Sequence, residues 1–363
     1  MHKSGIIFVL LATCLGGRVG WAQEAPEPKQ VEAAVTAGVR WLVKNQIAAG
    51  ADAGSWEGTQ YQTTVASLAG LALLANGHLP GEGEAGKAVD RAMRYVQASM
   101  TPDGFVGARG NSMYVHAICT LFGLSYLGMS PAAAQEQELA AWCRKSIRLI
   151  IQAQGVRKTD VDQGGWRYGP LSADSDVSVT SWQLLALHAA RQCGFEVPEE
   201  VLARGLNYLN RAFVEKADGA AGFVYRPGVS QSPEPGVTGA ALFIKSLLER
   251  EADGKFVTSY EYLRKFSPAW GGEQYKGYFY FVSFYVAQGM FQLGDKPWAE
   301  YRSPLQRLLV EHQLSDGTWE FPPDNRLQQD SVGPAYATAF AVLLLSLDQQ
   351  YLPMYQRQMG LFR

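Results

Sequence analysis

A unit of roughly 40–60 residues recurs along most of the chain, and it limits the fold more than any other feature. Each unit opens with a segment carrying one apolar stripe, as in Val31, Val35, Val39 and Leu42, or Leu305, Leu308 and Leu309. A loop with glycine and an aromatic follows. A second segment then runs apolar nearly all round, as in 337–347. The striped segments are expected as helices over 31–46, 85–99, 138–153, 198–212, 256–266 and 301–313. The apolar ones are expected over 61–76, 111–127, 177–192, 237–250, 278–293 and 335–347. A striped helix has one wet side, whereas a helix that is apolar all round must be covered on every side. Six such pairs meet both demands if the second helices form an inner ring and the first helices an outer ring. The expected fold is therefore all-α, an α/α toroid of six helical hairpins. The alternative is an open solenoid of hairpins, which calls for polar capping repeats that the sequence does not display.

The loops align with one another. Gly54-Ser55-Trp56-Glu57-Gly58 matches Gly165-Trp166-Arg167-Tyr168-Gly169-Pro170, and Gly222-Phe223-Val224-Tyr225-Arg226-Pro227 and Gly317-Thr318-Trp319-Glu320-Phe321-Pro322 repeat the form. Asp103-Gly104-Phe105 is a shorter version. The second segments align on a small hydroxyl residue before the apolar run: Thr64, Thr180, Thr238 and Thr338. This punctuation absorbs much of a glycine content of 38 in 363 residues, and the glycines lack the three-residue period of collagen.

The N-terminus reads as a signal peptide over 1–22, with Lys3, the apolar run Ile6–Leu15 and small residues at Gly20 and Ala22. Cleavage near Ala22 would send the chain to the periplasm or outside the cell. A short linker (23–30), a toroid domain (31–350) and a C-terminal tail (351–363) are expected to follow. Export permits disulfides, but the mature chain keeps three cysteines, Cys119, Cys143 and Cys193, all in apolar helical contexts and expected as buried free thiols. Thr59–Gly81 and Gly277–Gly294 carry no charge, yet their Gln, Thr, Asn, Ser and Gly content suits buried helices of a soluble core better than membrane spans. A net charge of −2 argues against a nucleic-acid partner. No phosphate loop, dinucleotide fingerprint, His-Glu-x-x-His or nucleophile elbow occurs, so no cofactor or metal is expected.

Three loops carry a Gln near the end of the first helix and then a Gly-Trp element: Gln46 with Gly54-Ser55-Trp56, Gln154 with Gly165-Trp166, and Gln313 with Gly317-Thr318-Trp319. On these residues the chain resembles the terpenoid cyclase and protein prenyltransferase superfamily, over about residues 30–350, and most of all its exported bacterial repeat proteins. The resemblance implies the toroid, makes Trp56, Trp166 and Trp319 packing residues, and points to an isoprenoid or other lipid ligand. Cyclases of this kind protonate an alkene or epoxide with the middle Asp of Asp-x-Asp-Asp. Here Asp174-Ser175-Asp176-Val177 lies before an inner helix, with Val177 in the last Asp position. If the chain is an enzyme, the resemblance makes Asp176 the acid and Asp174 the residue that tunes it. The other reading is that Asp176 or Ser178 caps the helix. The prenyltransferase zinc site would need Cys where Ser178 stands, and the thioester motif would need Cys in Trp270-Gly271-Gly272-Glu273-Gln274. Neither chemistry is expected.

In a toroid the outer-to-inner loops and the inner-helix N-termini open at one end, which narrows a ligand site to that mouth. The ligand-binding candidates are Tyr114, His116, Trp166, Arg167, Tyr168, Tyr225, Arg226, Tyr278 and Tyr280. The alternatives to lipid binding are a squalene-cyclase-like acid catalyst using Asp176, a carbohydrate-active toroid with Asp176 facing Asp330, and a non-catalytic protein-binding toroid whose aromatics plug the ring. No protein partner is indicated.

Overall fold

The computed structural model describes residues 25–107, 112–129, 132–249, 254–349 and 351–352. The expected signal peptide, its cleavage site and residues 353–363 of the expected tail lie outside the described residues. The chain forms six helical pairs: α1 (Pro28–Asn45) with α2 (Gln62–Leu74), α3 (Gly83–Ala98) with α4 (Met113–Tyr126), α5 (Ala133–Gln154) with α6 (Val177–Gln192), α7 (Glu199–Arg211) with α8 (Pro235–Leu248), α9 (Gly254–Leu263) with α10 (Phe279–Leu293), and α11 (Asp295–Glu311) with α12 (Arg326–Leu345). Contacts run α2–α4–α6–α8–α10–α12 and back to α2, so the inner ring closes. The odd-numbered helices lie outside it, and the fold is the expected α/α toroid. A short antiparallel hairpin, β1 (Phe213–Glu215) and β2 (Ala221–Phe223), sits between α7 and α8.

The two helix types follow their apolar patterns. In α1 the buried positions are Ala34, Val35, Gly38 and Leu42, a single stripe. In α2 every residue after Gln62 is buried, and in α10 every residue except Phe281. The two uncharged stretches are therefore core helices, and among the described residues no helix is long and apolar enough to cross a membrane. Three boundaries differ from the sequence pattern by five residues or more: α5 begins at Ala133 and α11 at Asp295, ahead of the expected 138 and 301, and α12 begins well before 335. Residues 326–332 add a helical run before the inner part of α12, and Gly333 (φ +72°) followed by Pro334 breaks the two apart.

The repeated Gln and Gly-Trp elements hold neighbouring units together. The Gln46 side-chain amide donates to Gly54 O in its own loop (3.2 Å) and to Ala88 O on α3 (2.9 Å). Gln154 does the same with Gly164 O (2.8 Å) and Val201 O on α7 (2.9 Å). Gln313 ties Gly317 O (3.1 Å) to Ala34 O on α1 (2.9 Å), joining the last unit to the first. The turn glycines allow this approach. A Cβ on Gly54 (φ +98°) would lie 2.1 Å from Arg91 O of α3, and one on Gly164 (φ +83°) 2.2 Å from Arg204 O of α7. In the second case the turn residue is Gly164, one place before the glycine that the sequence alignment selects. The indole N–H groups of Trp56, Trp166 and Trp319 donate to Leu42 O (3.0 Å), Ile150 O (2.8 Å) and Leu309 O (2.5 Å) of the preceding outer helices, the packing role expected of them. The aligned hydroxyls have a purpose as well: Thr180 and Thr238 accept the backbone N–H of Trp166 and Phe223, each at 3.0 Å.

Two histidines sit in this packing. His116 on α4 is fully buried. Its Nδ1 accepts the Val106 N–H (3.1 Å), so Nε2 carries the proton and donates to Ser146 O (3.0 Å). Burial holds His116 and His188 down to about 4. A histidine with a depressed folded-state value gives stability that is complete above its unfolded value near 6.5 and is lost as the pH falls toward 4. By pH 5 each ring is expected to have lost about 2 kcal/mol. Urea midpoints measured from pH 7 to pH 5 should fall accordingly, and a flat profile would exclude it.

The cysteines are free, and Cys119 and Cys143 are buried as expected. Cys193 is not: it lies at the C-terminal end of α6, exposed, because the inner helix has by then emerged from its cover.

Candidate functional site

A cavity of about 910 Å³ opens where the six inner helices begin, and each of them contributes to its wall. Thr64 and Leu68 come from α2, Tyr114 and Ile118 from α4, and Ser178 from α6. Gly236 and Val237 come from α8, Phe281 and Val282 from α10, and Tyr336 and Phe340 from α12. Three of these pairs are spaced i, i+4 from the first turn inward, so one face of each helix looks into the ring. Below them the ring is filled. Trp182 stacks on Phe284 (5.7 Å between centroids, 7°), Phe284 meets Phe340 edge-on (5.4 Å), and Phe281 meets Tyr285 (4.8 Å). The aromatics therefore fill the floor of the ring beneath the mouth cavity.

The predicted ligand residues divide into three groups. Tyr114, Tyr168, Tyr225 and Tyr278 line the cavity, with Tyr168 and Tyr278 partly exposed at the rim. Burial, reinforced by the Asp176 carboxylate, pushes the Tyr114 and Tyr225 phenols well above 10. They stay protonated and present hydroxyls. Arg167, Arg226 and Asp174 form an ionic cluster behind this wall. His116, Trp166 and Tyr280 do not reach the mouth at all. They are buried between the rings, bonded to Ser146 O, Ile150 O and Glu320 O, because the side chains at those positions point away from the ring axis.

Asp176 also lies outside the cavity lining and is wholly buried. It is the N-cap of α6: Oδ1 accepts the Val179 N–H (2.8 Å) and the Ser178 hydroxyl (2.7 Å). Oδ2 accepts from Arg167 Nη1 at 2.6 Å. Arg167 also donates to the Tyr225 hydroxyl (2.7 Å) and to Asp174 Oδ2 (3.2 Å), and its guanidinium lies 4.1 Å over the Tyr168 ring. Arg226 reaches the same Asp174 oxygen (3.1 Å). Burial raises the Asp176 carboxyl above the ordinary range, and the Val179 amide, Ser178 and Arg167 pull it back toward the ionised form. Oδ1 accepts two hydrogen bonds and Oδ2 one, and the three donors together favour the ionised form. Two hydrogen-bonded paths lead from this carboxylate to the cavity, one through the Ser178 hydroxyl to Tyr114 and one through the Arg167 guanidinium to the Tyr225 and Tyr168 hydroxyls.

Asp330 is exposed in the helical run before the kink and, like Asp176, does not line the cavity. The carboxylates that do are Glu234 and Asp324, neither of them singled out by the sequence pattern. Among the described residues no three His, Cys, Asp or Glu side chains are grouped to hold a metal ion.

The fold recurs in solved structures at low identity. A type II terpene cyclase from Scytonema, in complex with its geranylgeranyl dihydroxybenzoate substrate, is 14% identical, with a TM-score of 0.58 over 90% of this chain and 99% of that one. An α-1,6-mannanase from Salegentibacter, in complex with α-1,6-mannotriose, is 11% identical (TM-score 0.59, 87% and 98% covered). A glycosidase in complex with glucose is 12% identical (TM-score 0.61, 92% and 100% covered). These likenesses establish the α/α toroid shared by terpenoid cyclases and such glycosidases, and the fold alone. No family model and no curated protein matches the chain.

Proposed function

We propose that this toroid is exported and binds an amphipathic molecule, with an isoprenoid-type or similar apolar body, in the cavity at the inner-helix mouth. The observation that carries the reading is the cavity itself: about 910 Å³, lined by Leu, Ile, Val and Phe deep in the ring and by tyrosine hydroxyls at the rim. That volume and lining suit one ligand of moderate size with an apolar end and a polar end. The terpene cyclase of the same fold, which binds a geranylgeranyl compound, supports the ligand class by analogy. In this reading Asp176 fixes the tyrosine wall through Arg167 and does not deliver a proton, since each hydrogen bond it makes is one it accepts.

Native mass spectrometry of protein purified from its own cell envelope, with lipid extraction, tests this. An apolar species should co-purify with the wild type. Ile118→Trp fills the cavity from the α4 wall and should lower affinity for an added amphiphile about tenfold or more, equivalent to about 1.4 kcal/mol. Empty wild-type protein that binds no amphiphile would overturn the reading, as would an Ile118→Trp variant that binds like the wild type.

A further inference from the structure

A second cleft of about 870 Å³ adjoins the mouth, between the loop before α8, the end of α9 and residues 273–276. The two spaces share Glu234, Gln274 and Lys276 as walls. At this shared wall Glu234 Oε1 and Lys276 Nζ form an ion pair at 2.9 Å, with side chains 26% and 61% exposed. So exposed a pair is weak and easily parted. Lys276 is also the one non-glycine residue with positive φ among the described residues (+49°), the left-handed residue that ends the tight turn 273–275 at this wall.

We infer that the binding site continues past this ion pair, and that the lateral cleft takes a neutral, hydroxylated head group, a glycosyl or similar polyol, on the ligand whose apolar body lies in the mouth. This rests on the function proposed above. Three carboxylates border the cleft, Asp218, Glu234 and Glu273, with two ammonium groups, Lys265 and Lys276. An anionic head would meet the carboxylates and a cationic head the lysines. A polyol, which both donates and accepts, is served by both signs. Its less polar ring face has two aromatic walls to rest on. Tyr262 is held in place by its hydroxyl bond to Pro233 O (2.9 Å). Phe266 packs edge-on to Tyr275 (5.3 Å, 64°), which is itself part of the mouth wall, so a ring from each compartment meets between them. The mouth ends at depth in Leu68, Ile118 and Phe340, whereas the cleft is bordered by the five charged side chains, a contrast that sets the direction in which an amphiphile lies.

Titration calorimetry with three neutral probes below micellar concentration tests this: n-dodecyl β-maltoside, the octaethylene glycol ether with the same dodecyl chain, and free maltose. The maltoside is expected to bind about tenfold more tightly than the ether, and maltose alone weakly. Glu273→Ala and Tyr262→Ala should each bring the maltoside-to-ether ratio near one, with folding checked by the melting temperature. Equal affinities in the wild type would overturn the lateral head site and leave the mouth reading standing, as would a ratio that survives both substitutions. If neither dodecyl compound binds, the mouth reading fails and the lateral site fails with it.

Discussion

Gly239→Leu is expected to yield no folded protein. Helices α8 and α10 pack more closely than any other pair in the ring, and a Cβ at Gly239 would lie 2.7 Å from Val286 Cα and 2.8 Å from Tyr285 O. Those are backbone atoms, so no change of rotamer relieves the collision. The contact is reciprocal, because a Cβ at Gly289 would lie 2.9 Å from Gly239 O. Leucine would have to push the helices apart by a side-chain diameter in a ring that has no free edge. Alanine is the measurable version. It gains about 1 kcal/mol of helix propensity over glycine, but overpacking of this kind costs about 1–3 kcal/mol or more. With the obstacle made of backbone, we expect a net loss of about 2 kcal/mol and a melting temperature lower by about 3 °C. Gly254, at the start of α9, has nothing within 4 Å of its would-be Cβ. Gly254→Ala is the control, expected within about 0.5 kcal/mol of wild type. Because Gly236, Val237 and Val282 on the same two helices line the cavity, Gly239→Ala should weaken amphiphile binding as well. Wild-type melting and binding in this variant would mean that the two helices stand further apart.

The sequence made the rings legible because each helix type has its own burial pattern. The stripe of α1 and the uniformly apolar α2 are distinguishable without coordinates, and six such pairs leave few ways to cover the second kind. The site was legible only in part. Tyr114, Tyr168, Tyr225 and Tyr278 stand in loops or first turns at the mouth, and loop position was enough to find them. His116 and Tyr280 sit at similar chain positions but on the opposite helix face. Two residues along a helix reverse the direction a side chain takes, so proximity in sequence to Tyr114 or Tyr278 was a poor guide. The deep lining, Ile118, Phe281 and Phe340, is apolar like the rest of its helices and carries no compositional mark. The i, i+4 continuation from the rim residues, Tyr114 to Ile118 and Tyr336 to Phe340, was the signal available. Asp176 was visible both as a matched motif and as a cap. Its burial and its ion pair with Arg167, nine residues earlier on the loop, needed the fold.

Arg167→Met is expected to destabilise the protein by about 3–5 kcal/mol, the range for breaking a buried ion pair from one side. The guanidinium is 16% exposed and the Asp176 side chain 0%, so solvent screens the pair little. Methionine fills much of the same space but leaves the buried carboxylate without its hydrogen-bonded counter-charge, the more distant Lys158 ammonium being the cation that remains. Arg167→Lys should rescue poorly, since an ammonium cannot reach Asp176, Asp174 and the Tyr225 hydroxyl together. The double variant Arg167→Met/Asp176→Asn should recover part of the loss: asparagine carries no charge and its carbonyl still accepts the Val179 N–H. The pH dependence has a definite sign. In Arg167→Met the lone Asp176 carboxyl holds its proton more tightly folded than unfolded, and a raised folded-state value gives stability present at low pH and lost as the pH rises through it. The deficit relative to wild type should therefore be smaller at pH 5 than at pH 8, and the double variant should lack that trend. Amphiphile affinity should fall too, because Tyr168 and Tyr225 lose the group that holds them at the rim. Together the stability loss, its pH trend and the fall in affinity report a wall held by this ion pair. Equal urea midpoints for Arg167→Met and wild type at pH 8 would mean that this ion pair does not hold the wall.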